Sequence, residues 1–289
     1  MDQKNSNIRN IGLIYNTQIP AGYPLAEKIL AWLDERGIES WCCSREEHPD
    51  VDKSPDLLIT LGGDGSILRA MRQAAPAGVP VLGLNLGRVG FLTEAQPDAW
   101  EAALEHILKG EGHVEARMML RALLIRDDEI IAREDALNDA VISRGALART
   151  VRLHTYIDGA LLTRYVADGL IISTATGSTA YAYAVGGPIM PPWLDNILVA
   201  PAAPHLSLDR PLVLNAGAVV EVEVHTDLPG MLTVDGRLEG ELHDGDRVRI
   251  TRSPLRARFL RLRTRHDFYS TLVERLTPLM GTRKVVIYG

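Results

Sequence analysis

Asp64 stands in a run of glycines, Leu61-Gly62-Gly63-Asp64-Gly65-Ser66. Glycines at 62, 63 and 65 let a backbone take positive φ and come close to a ligand, and free N–H groups at the head of a following helix favour an anion. Gly62, Gly63 and Ser66 therefore read as a phosphate-binding loop. A carboxylate beside a phosphate is repelled unless it holds a metal ion or takes a proton from an attacking hydroxyl. Asp64 is thus the candidate catalytic residue, either as a base or through Mg²⁺. No Gly-x-x-x-x-Gly-Lys-Ser/Thr occurs, and no Gly-x-Gly-x-x-Gly follows the first strand, so neither a P-loop nor the usual dinucleotide fingerprint is present. A second stretch, Asp168 to Tyr181, runs from an apolar segment into Thr176, Gly177, Ser178, Thr179, Ala180 and Tyr181. It offers hydroxyls, backbone donors and an aromatic face within one turn, which suits a ribose, a phosphate or a base; the plainer reading is a Ser/Thr-capped turn.

The elements that must position these residues follow from hydrophobic pattern. Residues 57–60 are a buried strand leading into the glycine turn, and Ser66 opens a helix. Strands over 8–15, 39–43 and 79–84 and helices over 24–37 and 97–109 surround it, and strands alternating with helices imply a parallel sheet with ligands at the carboxyl ends of its strands. After residue 112 the texture changes to short strands, over 119–126, 135–143, 150–157, 160–165 and 170–174, then 220–224, 231–234 and 246–252, with Asp-Gly turns at 158, 168, 235 and 244. The fold class expected is an α/β domain with a parallel sheet, residues 1–112, followed by a β-sandwich-like, β-rich substrate-binding domain, 113–266. A helix over 267–276 and a short strand over 285–288 end the chain, and 267–289 are expected to return to the first domain.

The chain has 289 residues, 46% hydrophobic and 24% charged, with net charge −6, a pI near 5.8 and mean hydropathy close to zero. That balance, without a lysine- or arginine-rich run, excludes a nucleic-acid partner. The arginine-dense piece 247–265 alternates with apolar residues and reads as the solvated face of strands. Cys42 and Cys43 are the only cysteines and, being adjacent, form no ordinary structural disulfide. The eight histidines show no metal-ligand spacing, Glu221 and Glu223 read as an exposed strand face, and Trp41, Trp100 and Trp193 as packing residues. No secretory segment follows Met1 and no run of 18 apolar residues occurs, so no membrane association and a cytoplasmic location are expected.

Taken together, these residues resemble the NAD kinase family. Leu61 to Ser66, Asn85-Leu86-Gly87 with Gly90-Phe91-Leu92-Thr93, Leu137-Asn138-Asp139, Asp168-Gly169-Leu170, and Thr176 to Tyr181 with Gly186-Gly187-Pro188-Ile189 occur in the family's order, and the likeness covers residues 8–275. It implies transfer of the ATP γ-phosphoryl group to the 2′-hydroxyl of the adenosine ribose of NAD, giving NADP, with a divalent metal such as Mg²⁺ and a homodimer or homotetramer; whether polyphosphate also serves as donor is left open. Asp64 then matches the catalytic aspartate, and Gly65 lies beside it in the NAD site. Asn138 and Asp139 match the pair that binds ribose and adenine, Asp139 replacing the usual glutamate. Asp168 matches an aspartate near the nicotinamide end, residues 176–181 the segment around the adenosine, and Arg149 a substrate contact. Val166, Ala175 and Arg237 depart from the family's pattern. The alternatives are a diacylglycerol-type lipid kinase, disfavoured by the Asn85-Leu86-Gly87 and Thr176 to Tyr181 stretches, and a catalytically silent NAD-binding regulatory protein, disfavoured by Asp64.

Overall fold

The structure, a computed structural model, describes residues 8–47, 55–87, 90–145, 150–205 and 208–276. The chain forms two compact units, one of residues 1–115 together with 259–289, the other of residues 116–258.

The first unit is built on β1 (Asn10–Tyr15), α1 (Gly22–Asp34), β2 (Glu39–Ser44), β3 (Leu57–Gly62), α2 (Asp64–Ala77), β4 (Val81–Asn85) and α3 (Trp100–Leu108). Its strands lie in the order β2-β1-β3-β4, all parallel. Every residue of β3 and β4 is buried, as a parallel sheet covered on both faces requires. One face packs Ala26, Ile29 and Leu33 of α1 and Trp100, Leu104 and Ile107 of α3 against Ile11, Leu13, Ile59 and Leu84. These positions recur at helical spacing, so one stripe of each helix meets the sheet. The order of strands reverses between β1 and β3, which makes their carboxyl ends the place where an open α/β sheet receives a ligand.

The second unit contains β6 (Glu129–Ala136), β7 (Asp139–Arg144), β8 (Val151–Ile157), β9 (Ala160–Ala167), β10 (Gly169–Thr174), α4 (Tyr181–Ala184), β11 (Asn196–Ala202), β12 (Leu212–Asn215), β13 (Val220–His225), β14 (Gly230–Val234) and β15 (Arg237–Leu242). β5 (His113–Arg126) leads into it and β16 (Arg247–Arg261) leads out, the Phe259 end of β16 pairing with Val81 of β4. A six-stranded antiparallel sheet, β12-β11-β10-β7-β14-β15, faces a second layer containing β13, β8 and β9. Ile142, Leu170, Ile172, Val199 and Leu232 of the first layer and Leu153, Tyr165, Val220, Val222 and Val248 of the second fill the space between them. Strand β13 alternates strictly, its valines buried and Glu221, Glu223 and His225 turned outward.

Three expectations need correction. Residues 135–143 are two strands broken at Leu137–Asn138, because Asp235 accepts the N–H groups of Leu137, Asn138 and Asp139 (2.9, 2.7 and 3.2 Å) and takes them out of any ladder. The central strand β11 escaped the reading because it is buried on both faces and carries no alternation. Arg261 is not on a solvated face: it is 7% exposed and its guanidinium meets the buried Glu94 carboxylate at 2.8 Å. Helix α5 (Asp267–Leu276) forms as expected, the strand over 285–288 lies outside the described residues, and among those described no helix is long and apolar enough to cross a membrane.

Candidate active site

In the first unit, Gly62 at the end of β3 is in register with Asn85 at the end of β4, and Leu86 N–H donates to Gly62 O at 3.2 Å. The two glycine-bearing loops therefore leave the sheet side by side. Helix α2 starts at Asp64, not at Ser66, with Gly63 as its extended N-cap (φ −104°). None of Gly62, Gly63 and Gly65 has positive φ, so the conformational argument for them fails and a steric one replaces it. A Cβ on Gly62 would lie 2.2 Å from Ser66 Oγ, whereas a Cβ on Gly63 or Gly65 would meet no atom within 4 Å beyond its own stretch of backbone. The first glycine lets the chain pack on itself; the other two leave a helix N-terminus open to an anion. Ser66 Oγ and Thr60 Oγ1 are buried without a hydrogen-bond partner among the described residues. Asn16, at the end of β1, adjoins the turn: its N–H donates to Leu61 O at 3.1 Å, and Gly62 would touch its Cβ at 3.5 Å. A polar residue at the carboxyl end of the first strand is the signal by which it could have been found.

Asp64 is held from the facing loop. Its carboxylate accepts Phe91 N–H at 2.6 Å and Leu92 N–H at 3.0 Å, one bond to each oxygen. Gly90 makes that approach possible, since a Cβ there would sit 1.8 Å from Asp64 Oδ1. The loop is braced in turn. Asn85 Nδ2 donates to Gly87 O at 2.8 Å, Arg261 donates to Leu92 O at 3.0 Å, and Glu94 accepts Arg261, Leu262 N–H and Arg263 N–H at 2.7–2.8 Å. A carboxylate oriented by two charge-assisted bonds keeps one lone pair on each oxygen for a proton or a cation.

The second unit gathers most of the remaining candidates at one end of β7 and β10. Asp235, in a turn at φ 50°, clamps Leu137 to Asp139 as described, and Asn138 O accepts Thr174 N–H (2.8 Å) and Ser173 Oγ–H (3.0 Å). Gly177 approaches this carbonyl so closely that a Cβ would lie 2.2 Å from it. Asp139 is 5% exposed; burial first, and the Asp235 charge second, push its carboxyl up to about 7. Ser178 is turned inward, donating to Ala175 O (2.7 Å) and accepting Met190 N–H (2.9 Å), so its role is to shape the turn. Thr176 Oγ1 is buried without a partner among the described residues, Thr179 Oγ1 donates to Thr176 O at 3.3 Å, Ala180 links the turn to α4, and Tyr181 is half exposed. Asp168 is gripped by the Arg144 guanidinium, Nε to Oδ1 at 2.9 Å and Nη2 to Oδ2 at 3.4 Å. Arg144 and Asp235 were not singled out in the sequence, because each acts on a residue distant along the chain. Arg237 is exposed, 3.8 Å from Glu239. Arg149 lies outside the described residues.

Comparison with known proteins follows this division. Residues 43–112 match the ATP-NAD kinase N-terminal domain and residues 137–262 the ATP-NAD kinase C-terminal domain. The NAD kinase of Chloroflexus aurantiacus is 40% identical over 272 residues, covering 93% of this chain and 99% of that protein. The NAD kinase of Moorella thermoacetica is 40% identical over 282 residues, covering 93% and 89%. In fold the chain is similar to yeast NADH kinase complexed with NADH (TM-score 0.83, 23% identity, 97% of this chain and 91% of that one). It is also similar to the NAD kinase of Archaeoglobus fulgidus in complex with ATP (TM-score 0.75, 24% identity, 93% and 98%).

Proposed function

The chain belongs to the NAD kinase family, and we propose that it transfers the γ-phosphoryl group of ATP to the 2′-hydroxyl of the adenosine ribose of NAD, giving NADP. The observation that carries the residue assignment is the Asp64 carboxylate, fixed by two N–H groups beside a glycine turn with open space at Gly63 and Gly65. Phosphoryl transfer is mostly positioning and charge neutralisation, with a carboxylate to orient or deprotonate the acceptor. Asp64 takes the 2′-hydroxyl proton as the oxygen attacks the γ-phosphorus, and the leaving ADP oxygen carries away the bonding pair. The N–H groups at the head of α2, with Ser66 Oγ, receive donor phosphate oxygens.

A magnesium–triphosphate donor suits this turn. Mg²⁺ keeps waters and takes one or two carboxylates besides phosphate oxygens, and Asp64 is the carboxylate the turn provides. When bound, the ion neutralises charge on the transferring group. In the β-rich unit, Asn138 and Asp139 hold the ribose and adenine, Asp168, fixed by Arg144, meets the nicotinamide end, and the 176–181 turn lines the adenosine. Polyphosphate as a second donor, a cytoplasmic location and a homodimer or homotetramer complete the proposal; β12 and β15 end one sheet of the β-rich unit and supply edges for assembly.

The test is NADP formation from NAD, ATP and Mg²⁺, followed with an NADP-specific dehydrogenase, in wild type and D64N. General-base or equivalent electrostatic assistance contributes about 10²–10⁴-fold, so D64N loses at least about a hundredfold in kcat with NAD binding retained. Turnover near wild type in D64N removes Asp64 from the mechanism; phosphorylation of a lipid instead of NAD overturns the substrate.

A further inference from the structure

The outer face of the β8–β13 pair brings together three side chains that the proposed reaction does not use. His154 of β8 stands directly across from Glu223 of β13, and His225 follows Glu223 two residues on, on the same face. Their ligating atoms all lie within 4.8 Å of one another, the one such set of three among the described residues. The two imidazole rings approach to 4.1 Å between centroids. His225 Nε2 is 3.3 Å from Glu223 Oε1, and His154 Nδ1 is 3.9 Å from Glu223 Oε2.

We propose that His154, Glu223 and His225 form a binding site for a divalent transition-metal ion of the zinc type, on the β-rich unit and separate from the Mg²⁺-nucleotide chemistry. His225 Nε2 is shut off from solvent and makes no hydrogen bond among the described residues, although a carboxylate oxygen lies 3.3 Å away. A cation at this point, a proton or a metal ion, is what would bind the imidazole nitrogen and the carboxylate together. The other nitrogen, Nδ1, is 3.7 Å from Asp244 Oδ1, a carboxylate close enough to act as an outer partner of a ligating imidazole. Tetrahedral ligands at about 2.0–2.2 Å from zinc lie about 3.4 Å apart; the His225–Glu223 pair has that spacing at 3.3 Å, and His154 Nδ1 stands 3.9 Å from Glu223.

The surroundings favour a borderline ion over a hard one. Two imidazoles and one carboxylate suit Zn²⁺, Ni²⁺ or Cu²⁺, whereas Mg²⁺ and Ca²⁺ need mostly oxygen. Arg152, across from His225, is 3.9 Å from Asp227, Arg247, across from Glu223, is paired with Asp128, and Tyr156 donates to Glu223 Oε2 at 3.4 Å. Three protein ligands leave a position for water or an added ligand. Glu223 also lines a cavity of about 920 Å³ along this face, whose lining includes neither histidine.

The test uses the full chain stripped with EDTA and titrated with Zn²⁺ against a chromophoric chelator, with Co²⁺ as a spectroscopic substitute. The expected result is one ion per chain, visible Co²⁺ d–d bands of a four-coordinate site, and at least about a tenfold loss of affinity in H154A and in H225A. H106A, which removes a histidine beside Glu111 elsewhere, binds as wild type. Metal X-ray absorption on unaltered protein reads the two imidazole ligands directly and keeps the test independent of variant folding. No stoichiometric binding by wild type, equal binding by the H154A/H225A variant, or a metal shell without histidine overturns the proposal.

Discussion

Gly90→Ala isolates the orientation of Asp64 from its chemistry. The added Cβ would lie 1.8 Å from Asp64 Oδ1 and 2.5 Å from Cγ, and ordinary contact begins at 3.4 Å, so the carboxylate must retreat by about 1.6 Å or the loop must open. Either movement breaks at least one of the bonds from Phe91 and Leu92. A hydrogen bond to a charged group is worth about 1.5–3 kcal/mol, and at about 2–4 °C per kcal/mol for a chain of this order the thermal midpoint falls by roughly 3–12 °C. The effect on turnover is larger, because a misplacement of about 1 Å costs on the order of a hundredfold. We therefore expect kcat to fall about a hundredfold with the dissociation constant for NAD within about twofold of wild type, measured by the coupled NADP assay and by calorimetric titration. The decisive comparison is G90A in a D64N background. If Gly90 acts only by letting Asp64 sit where it does, the second substitution adds less than about twofold to the loss, since groups acting as a unit are not additive. A kcat within threefold of wild type in G90A, or a full hundredfold further loss in the double variant, refutes the reasoning.

Asp139 and Arg261 give two more expectations. The carboxyl of Asp139 rises from 3.8 to about 7 in the folded protein, so the unfolded chain releases this proton more readily. Its contribution to stability is whole below about pH 4, is lost as pH rises towards 7, and stays lost above. At about 1.36 kcal/mol per pH unit that amounts to at most about 4 kcal/mol. D139N is accordingly more stable than wild type to urea at pH 8 and equal to it at pH 4, and identical pH profiles of the two proteins would remove the assignment. R261M leaves Glu94 buried with, among the described residues, only the Leu262 and Arg263 N–H groups as partners. Breaking such a pair costs about 3–5 kcal/mol, and R261M/E94M recovers part of it, because two apolar side chains can replace a buried ion pair while the Leu262 and Arg263 N–H groups lose their acceptor. Urea unfolding of wild type, R261M, E94M and R261M/E94M reads this, and a double variant no better than R261M would show that the unpaired Glu94 charge is not what R261M costs.

What was legible in the sequence was what is local in the chain. Strand, glycine turn and carboxylate follow one another within 57–66, and the hydroxyl-rich turn of 176–181 follows directly on β10. Both stretches can be read as candidates because their residues are neighbours in sequence. The parts that hold these groups in place join distant residues: Arg261 to Glu94 across 167 positions, Leu137 to Asp235 across 98, Arg144 to Asp168 across 24. Asp235 illustrates the limit. Asp-Gly announces a hairpin turn, and the turn is there, at φ 50° for Asp235 and 75° for Gly236, but nothing local says that the side chain will reach a strand break elsewhere. Arg261 fails for a related reason, since alternation predicts which way a side chain points and not whether a buried carboxylate waits there. The histidines were read by spacing along one chain segment, so ligands on two paired strands could not be seen.

The glycines of the site show why a motif can be found on partly wrong grounds. Glycine was expected for its freedom at positive φ, yet those at 62, 63 and 65 do not use it. Gly62, Gly90 and Gly177 are required by the chain's own atoms, at 2.2, 1.8 and 2.2 Å from a would-be Cβ. Gly63 and Gly65 face open space, so packing within the protein gives no reason for them. A position that tolerates a side chain sterically, at the head of a helix and beside an oriented carboxylate, is explained by what must approach from outside. Phosphate oxygens reaching backbone N–H groups need that clearance. The same five-residue stretch thus contains one glycine that the fold itself requires and two that packing leaves free for the proposed phosphate contact, and Asp64 between them is held by the loop that Gly90 keeps narrow.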